Sequence, residues 1–291
     1  MPERAASSTA VLVCQGRATA DGRYAVGRFS DPIARQLLDP ADRIIVDRVR
    51  ADRVPTQAAD RMPYEMVRRT GLTIVPRTIS IDDAIRNHAA GQLVILGAGL
   101  DARAWRMSEL ARATVFEVDH PASQHDKLRR IGGLAPTARR VVAVAIDLVS
   151  ERLGPNLERA GFDRQAVTTW VWEGVVPYLT ADEVRATVAQ IAELSAPASQ
   201  LVVNYQAKSL PTTVMRVTMR LVLRVSRQPD PLAGEPWRSL WRPDLMRSML
   251  SDSGFDVTSD SDLLTLSEGL ALPSDNKGSL RNGRVAVAVR R

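Results

Sequence analysis

Apolar residues along this chain fall into short, nearly unbroken runs, separated by stretches in which they recur at helical intervals. Leu93-Val-Ile-Leu96, Thr114-Val-Phe-Glu-Val118, Arg140-Val-Val-Ala-Val-Ala-Ile146, Thr168-Thr-Trp-Val-Trp172 and Gln200-Leu-Val-Val-Asn204 have the length and continuity of strands buried on both faces. Helical patterns lie between them. Pro121 suits the first turn of a helix reaching about Arg130, a Gly-Pro-rich turn and a helix follow Asp147, and Ala181 to Leu194 is introduced by Thr180 with Glu183 at capping-box spacing. This alternation predicts an α/β fold built on a mainly parallel sheet.

Upstream, Val26 to about Arg50 reads as short helices, with Pro32 to Leu38 stopping at Asp39-Pro40. Helical character continues from Tyr64 to Arg69, breaks at Gly71 and resumes from Ile79 to Ala90, while residues 1–22, without a clear period, predict a loosely packed tail. Downstream the alternation breaks. Residues 205–243 carry Pro211 and a run in which Arg216, Arg220 and Arg224 recur every four residues opposite a Val/Met/Leu face, a helix expected to pack as a lid with its arginines in solvent. A helix from Pro243 to Ser253, a strand around Phe255 to Val257 and a final strand over Asn282 to Arg290, joined antiparallel, complete the sheet.

The strand ends carry the chemistry. The first run stops at Gly97-Ala98-Gly99, a turn that lets backbone approach a ligand closely while the next helix aims unpaired amides at the same space. The second, third and fourth end at Asp119, Asp147 and Glu173. Any one acid is explained as well by helix capping. Three in phase, at the carboxyl ends of parallel strands, point to one crevice.

Composition narrows the partners. Of 291 residues 45% are apolar, enough for a sizeable core, and no apolar stretch approaches the roughly 20 residues of a bilayer span, so a cytoplasmic protein without membrane insertion is expected. Cys14 is the single cysteine and His88, His120 and His125 are scattered, so neither a disulfide nor a metal site is expected. A net charge of +6 suits a nucleic-acid partner. Yet Arg far outnumbers Lys, a codon-bias signature, and aromatics for base stacking are only 4%, so nucleic acid is the less favoured partner.

Two cofactors fit the glycine turn. Asp119 follows Gly97 by 22 residues, near the spacing at which an acid meets a nicotinamide cofactor's ribose. Against it, Asp101 would repel a pyrophosphate, and no Tyr-x-x-x-Lys pair occurs, since Tyr205 and Lys208 are one residue too close. S-adenosylmethionine keeps the ribose and adenine, lacks phosphates and adds a sulfonium, an ammonium and a carboxylate, which suit acids and one arginine.

The ordered blocks Val94-Ile-Leu-Gly-Ala-Gly-Leu-Asp-Ala-Arg-Ala-Trp-Arg106, Phe116-Glu-Val-Asp-His-Pro-Ala-Ser-Gln-His-Asp-Lys127, Ile146-Asp-Leu148 and Trp172-Glu-Gly-Val-Val-Pro-Tyr-Leu-Thr180 resemble the leucine carboxyl methyltransferase family. That family includes bacterial O-methyltransferases of polyketide and other natural-product pathways. The resemblance implies a Rossmann-like seven-strand methyltransferase fold with an antiparallel last strand and a helical lid. It implies residues 1–90 as tail and helical cap, 91–204 as cofactor-binding core, 205–243 as substrate lid and 244–291 as completion of the sheet. Arg77 is similar to the family arginine that pairs with the cofactor's methionine carboxylate, and Gly97 and Gly99 to the turn beneath its methionyl part. Asp119 resembles the ribose acid, Asp147 and Leu148 the pair flanking adenine, and Glu173 the acid near the amino-acid end; Asp101, Arg103 and Arg106 have supporting or salt-bridging roles.

Methyl transfer from a sulfonium needs mainly a positioned acceptor oxygen. Tyr178 and Tyr205 are candidates to orient it, and Val214, Met215, Met219, Leu223, Trp237 and Trp241 could line an apolar acceptor cavity or pack a lid. The expected activity is S-adenosylmethionine-dependent transfer to a carboxylate or hydroxyl of a small natural product. Alternatives are carboxyl methylation of a protein or peptide, an RNA-linked acceptor, a nicotinamide-dependent oxidoreductase, or cofactor binding without catalysis.

Overall fold

Seven strands form one sheet in the order β3-β2-β1-β4-β5-β7-β6. They are β1 (Gln92–Leu96), β2 (Thr114–Asp119), β3 (Arg140–Ala145), β4 (Thr168–Trp172), β5 (Gln200–Gln206), β6 (Phe255–Asp262) and β7 (Gly283–Arg290). This computed structural model describes residues 7–148, 150–208, 237–270, 272–273 and 277–291. The first five strands pair in parallel, and β7 runs antiparallel to both β5 and β6. Strand order reverses on either side of β1, which opens a crevice at the carboxyl ends of β1 and β4.

The unbroken apolar runs have a direct cause. Alternate residues of each central strand enter two different cores, so no position faces water. Leu93, Ile95, Val115 and Val171 pack beneath the N-terminal helices α1 (Ser8–Ala20), α2 (Pro40–Arg50) and α3 (Ala58–His88). Val94, Leu96, Phe116, Trp170 and Trp172 join the opposite core, which includes residues of α6 (Leu153–Arg159), α7 (Ala181–Glu193) and α8 (Pro243–Asp252). The sheet side is completed by α4 (Arg103–Arg106) after the glycine turn and α5 (Pro121–Ile131) after β2. Thr180 and Glu183 form the reciprocal capping box that opens α7.

Several local expectations need correction. Residues 8–20 are not a loose tail: α1 is capped by Ser7 and buries Cys14 to Ala20. Its residues are too small and too evenly apolar to show a stripe. Nor does Gly71 break a helix, because α3 is continuous from Ala58 to His88 through Gly71 and Pro76. Gly71 lies where α1 crosses α3: a Cβ there would approach the Gly16 carbonyl oxygen to 3.3 Å, and one on Gly16 would meet Thr70 Cγ2 at 2.7 Å. Close packing of two backbones thus outweighs the weak helix propensity of glycine. Residues 32–38 form turns, not a helix. Strand β6 runs on to Asp262 despite its Ser and Asp residues, since it pairs only with β7 and keeps a polar, partly exposed edge.

Pro211, Val214, Met215, Arg216, Met219, Arg220, Leu223 and Arg224 lie outside the described residues. Trp241 is buried in the core with Leu250 and Phe255, and its backbone joins Gln206 at the end of β5 and Lys208 just after it. Among the described residues, no helix is long and apolar enough to cross a membrane.

Candidate functional site

Register builds the site. Leu96 of β1 stands opposite Val118 of β2 and Trp172 of β4, so the residues following these strands share one rim. The amides of Gly97 and Ala98 both donate to the Val118 carbonyl, at 2.8 and 3.1 Å, folding the turn back over β2. Gly97 has φ +66° and Gly99 φ +44°, and a Cβ on Gly97 would run into Val175 Cγ2. The turn therefore requires glycine at 97 twice over, by conformation and by space.

Asp119 ends β2 facing this turn. One carboxylate oxygen accepts the Gly99 N–H at 2.5 Å and the other the His120 N–H at 2.7 Å. Each oxygen keeps a second lone pair for a ligand hydroxyl. Burial pushes the carboxyl up from its ordinary value, against the pull of these two amides and of Lys127. Asp147 and Leu148 follow β3, with the leucine packed on the Trp172 core. Together with Arg77, Asp101, Glu173 and Tyr178, these groups line a cavity of about 320 Å³, roofed in part by Thr9, Ala10 and Val13 of α1. Tyr178 lies 3.4 Å from the Thr9 hydroxyl, joining the turn after β4 to α1.

Beneath the rim is a charge network of four arginines and four acids. Arg103 is 2% exposed and meets Asp82 at 2.8 Å, Glu173 at 2.7 Å and Asp101 more closely still. Arg77 donates from Nε to Glu173 at 2.7 Å, Arg106 reaches Asp82 at 2.7 Å, and Arg17 of α1 pairs with Asp31 at 3.0 Å while donating to the Leu100 carbonyl. Such burial is tolerable only because each charge has an opposite neighbour. Burial alone would raise Glu173, but Arg103 and Arg77 more than offset it and hold the carboxyl at about 2. Asp101 is likewise held below the ordinary range, burial being outweighed by Arg103 and Arg17. Glu173 and Asp101 thus line the cavity as ionised carboxylates at neutral pH, with Arg17 and Arg77 beside them.

Of the residues expected from sequence, Arg77, Gly97, Gly99, Asp119, Asp147, Leu148, Glu173 and Tyr178 are gathered here. Tyr205 is not. Counting by two along β5, it shares a face with Leu201 and Val203, is buried in the same core, and donates its hydroxyl to Asp260 at 2.8 Å. Its alternate neighbour Asn204 instead reaches the rim, accepting the Gly174 N–H at 3.3 Å. Arg17, Asp31 and Asp82 were not legible from sequence; the one available signal was a charged residue inside an otherwise apolar or small-residue stretch.

The family profile of leucine carboxyl methyltransferase matches residues 10–192. A candidate S-adenosyl-L-methionine-dependent methyltransferase of Mycobacterium avium is 44% identical over 120 residues, 40% of this chain and 39% of that protein. Thus the match to this relative spans about two fifths of its length. Another from Mycolicibacterium paratuberculosis is 30% identical over 246 residues, 79% of this chain and 76% of the relative. Among solved structures, a candidate methyltransferase from Thermobifida fusca aligns with TM-score 0.57 at 16% identity, covering 99% of this chain and 96% of that one, a likeness of fold alone.

Proposed function

The chain belongs to the leucine carboxyl methyltransferase family, and from that premise we propose that it is an S-adenosylmethionine-dependent O-methyltransferase acting on a carboxylate or hydroxyl of a small natural product. One observation carries the reading: the glycine turn, Asp119, Asp147 with Leu148, and Glu173 end four adjacent strands and line one cavity with Arg77.

The donor set fits this cofactor. Gly97, Ala98 and Gly99 bring the turn's backbone to the cavity wall, where a methionyl chain can lie against it. Asp119 retains acceptor capacity for two ribose hydroxyls, and Leu148 offers an apolar face to adenine beside the Asp147 carboxylate. Glu173 and Asp101, ionised through Arg103, favour an ammonium and a sulfonium. Arg77, held by Glu173 through Nε, presents the rest of its guanidinium to a carboxylate.

When bound, the cofactor supplies an activated methyl carbon, which an acceptor oxygen takes in line as the carbon–sulfur bond breaks. The protein's part is positioning: Tyr178 and Thr9 stand together at the cavity wall to hold the acceptor oxygen, and α1 screens the reacting atoms from water. A carboxylate acceptor needs no base, whereas a hydroxyl must give up its proton.

Incubating the protein with an extract of its source cells and cofactor carrying a deuterated methyl, followed by mass spectrometry, tests the reading. A labelled methyl ester or ether on a small metabolite is expected. Label found only on protein or RNA would replace the acceptor class, and absence of transfer to any fraction would overturn the activity.

A further inference from the structure

Between β5 and α8, residues 238–241 run as a strap against the turn that carries Tyr178, and no step above uses them. Val176–Tyr178 is a single 3-10 turn. So short a turn has little stability of its own, and its direction is set by what it is bound to. On one side stands α1, through Thr9 and the Tyr178 hydroxyl. On the other lies the strap. The amides of Arg238 and Ser239 both donate to the Pro177 carbonyl, at 2.6 and 3.2 Å, and the Ser239 hydroxyl donates to the Val176 carbonyl at 3.0 Å. Ser239 is itself held: its hydroxyl oxygen accepts the Trp241 indole N–H at 3.3 Å, and the buried Trp241 is tied by its backbone to Gln206 and Lys208. Arg238 also reaches Glu183 at 3.2 Å, but that pair is exposed and adds little. A chain of hydrogen bonds therefore runs from Trp241 in the core, through Ser239, to the two carbonyls that precede Tyr178.

We propose that Ser239 is a positioning residue for methyl transfer: by holding the Val176 carbonyl, its hydroxyl fixes the turn that places the Tyr178 side chain at the cavity wall. The inference rests on the reading of Tyr178 as a residue that orients the acceptor oxygen. A hydroxyl suits this place. The Val176 carbonyl already accepts the Leu179 N–H at 3.2 Å within the turn, and Ser239 takes its second lone pair, so the strap adds a hold without competing with the turn's own bond. The same hydroxyl oxygen is free to accept from Trp241, which gives the turn an anchor in the core that a backbone amide alone would not supply. The groups assigned to the cofactor, Gly97, Asp119, Asp147 and Glu173, take no part in these contacts. Loss of the hydroxyl therefore leaves the cofactor's seat in place and frees Tyr178 to turn away from its acceptor.

The test uses the full chain labelled with 3-fluorotyrosine, whose fluorine resonances report Tyr24, Tyr64, Tyr178 and Tyr205 separately, the Tyr178 line being assigned by its loss in Tyr178→Phe. Wild type, Ser239→Ala, Ser239→Thr and Tyr178→Phe are compared for that spectrum, for thermal midpoint and for calorimetric affinity for S-adenosylhomocysteine. The rate of label transfer from deuterated-methyl cofactor to cell extract is measured for each. In Ser239→Ala the Tyr178 line is expected to shift while the others stay, and transfer to slow about fivefold or more at unchanged affinity, the effect of one lost hydrogen bond on placement. Ser239→Thr, which keeps the hydroxyl, restores both. If Ser239→Ala lowers the midpoint, Ser239→Cys, close in size and a weaker donor, is read in its place with the same expectation. An unmoved Tyr178 line, or a moved one with wild-type transfer, would overturn the inference. So would equal slowing in Ser239→Thr, or a loss of S-adenosylhomocysteine affinity that matches the loss of transfer. Wild-type transfer by Tyr178→Phe is a different result: it removes the reading of Tyr178, and the inference with it.

Discussion

Replacing Arg103 with methionine keeps the length of the side chain and deletes its charge where it touches three carboxylates. Two of these retain another partner: Asp82 has Arg106 at 2.7 Å and Glu173 has Arg77 at 2.7 Å. Asp101 is only 7% exposed and loses its ion pair, with Arg17 left to act through its field. Removing one partner of a buried pair costs about 3–5 kcal/mol, and because two of the three acids keep a partner the lower figure, about 3 kcal/mol, is expected. The pH dependence has a definite sign. In the wild type Asp101 is depressed below 3.8, so its contribution is fully present above that value and is lost only as pH falls through its lowered folded value. In Arg103→Met, burial acts without that opposing charge and raises Asp101. The penalty is then present at high pH and is relieved as the acid takes up a proton. Urea unfolding at about pH 7.5 and about pH 5 should therefore show a gap between wild type and variant that narrows on acidification. Adding Asp101→Asn should recover most of the loss. A gap under about 1 kcal/mol at the higher pH, or one that widens in acid, would refute the claim that Arg103 holds these acids.

Three further outcomes follow from the geometry. Asp119→Asn should weaken S-adenosylhomocysteine about tenfold or more in a calorimetric titration while leaving the unfolding midpoint nearly unchanged, since Asn can still accept one of the two backbone amides. Gly97→Ala combines about 1–2 kcal/mol of left-handed backbone strain with a clash against Val175; adding Val175→Ala should relieve the clash alone, a partial rescue readable by thermal unfolding. Tyr205→Phe should cost about 1–3 kcal/mol of stability by leaving the buried Asp260 without its hydroxyl donor, yet leave methyl transfer at the wild-type rate when assayed well below the midpoint.

How much of this was legible depended on whether the cause was local. The strand ends were legible because a strand buried on both faces is a continuous apolar run, and what interrupts it, Gly97, Asp119 or Glu173, falls at the rim. Strand β3 is a half-exposed edge strand, so its apolar run before Asp147 reflects β-branched strand propensity and not burial on both faces. Tyr205 lies in the core, where period-two counting from Leu201 and Val203 assigns it, and not on the cavity wall. Helix α1 carries no amphipathic stripe because its residues are small, and Ser7 as N-cap is its readable start signal. Asp31, Asp82 and Arg17 stayed hidden for a different reason. Their partners come from distant elements, Arg17 on α1 with Asp31 and Asp82 on α3 with Arg103, and no spacing rule reaches across such separations.

The central claim is that the cavity at the carboxyl ends of β1 to β4 seats S-adenosylmethionine. Isothermal titration of the wild-type protein with S-adenosylhomocysteine, paired with the same titration using NAD, tests it most directly. A saturable isotherm with one molecule per chain for the first ligand and no heat of binding for the second is the predicted result. Saturable binding of NAD with none of S-adenosylhomocysteine would contradict it.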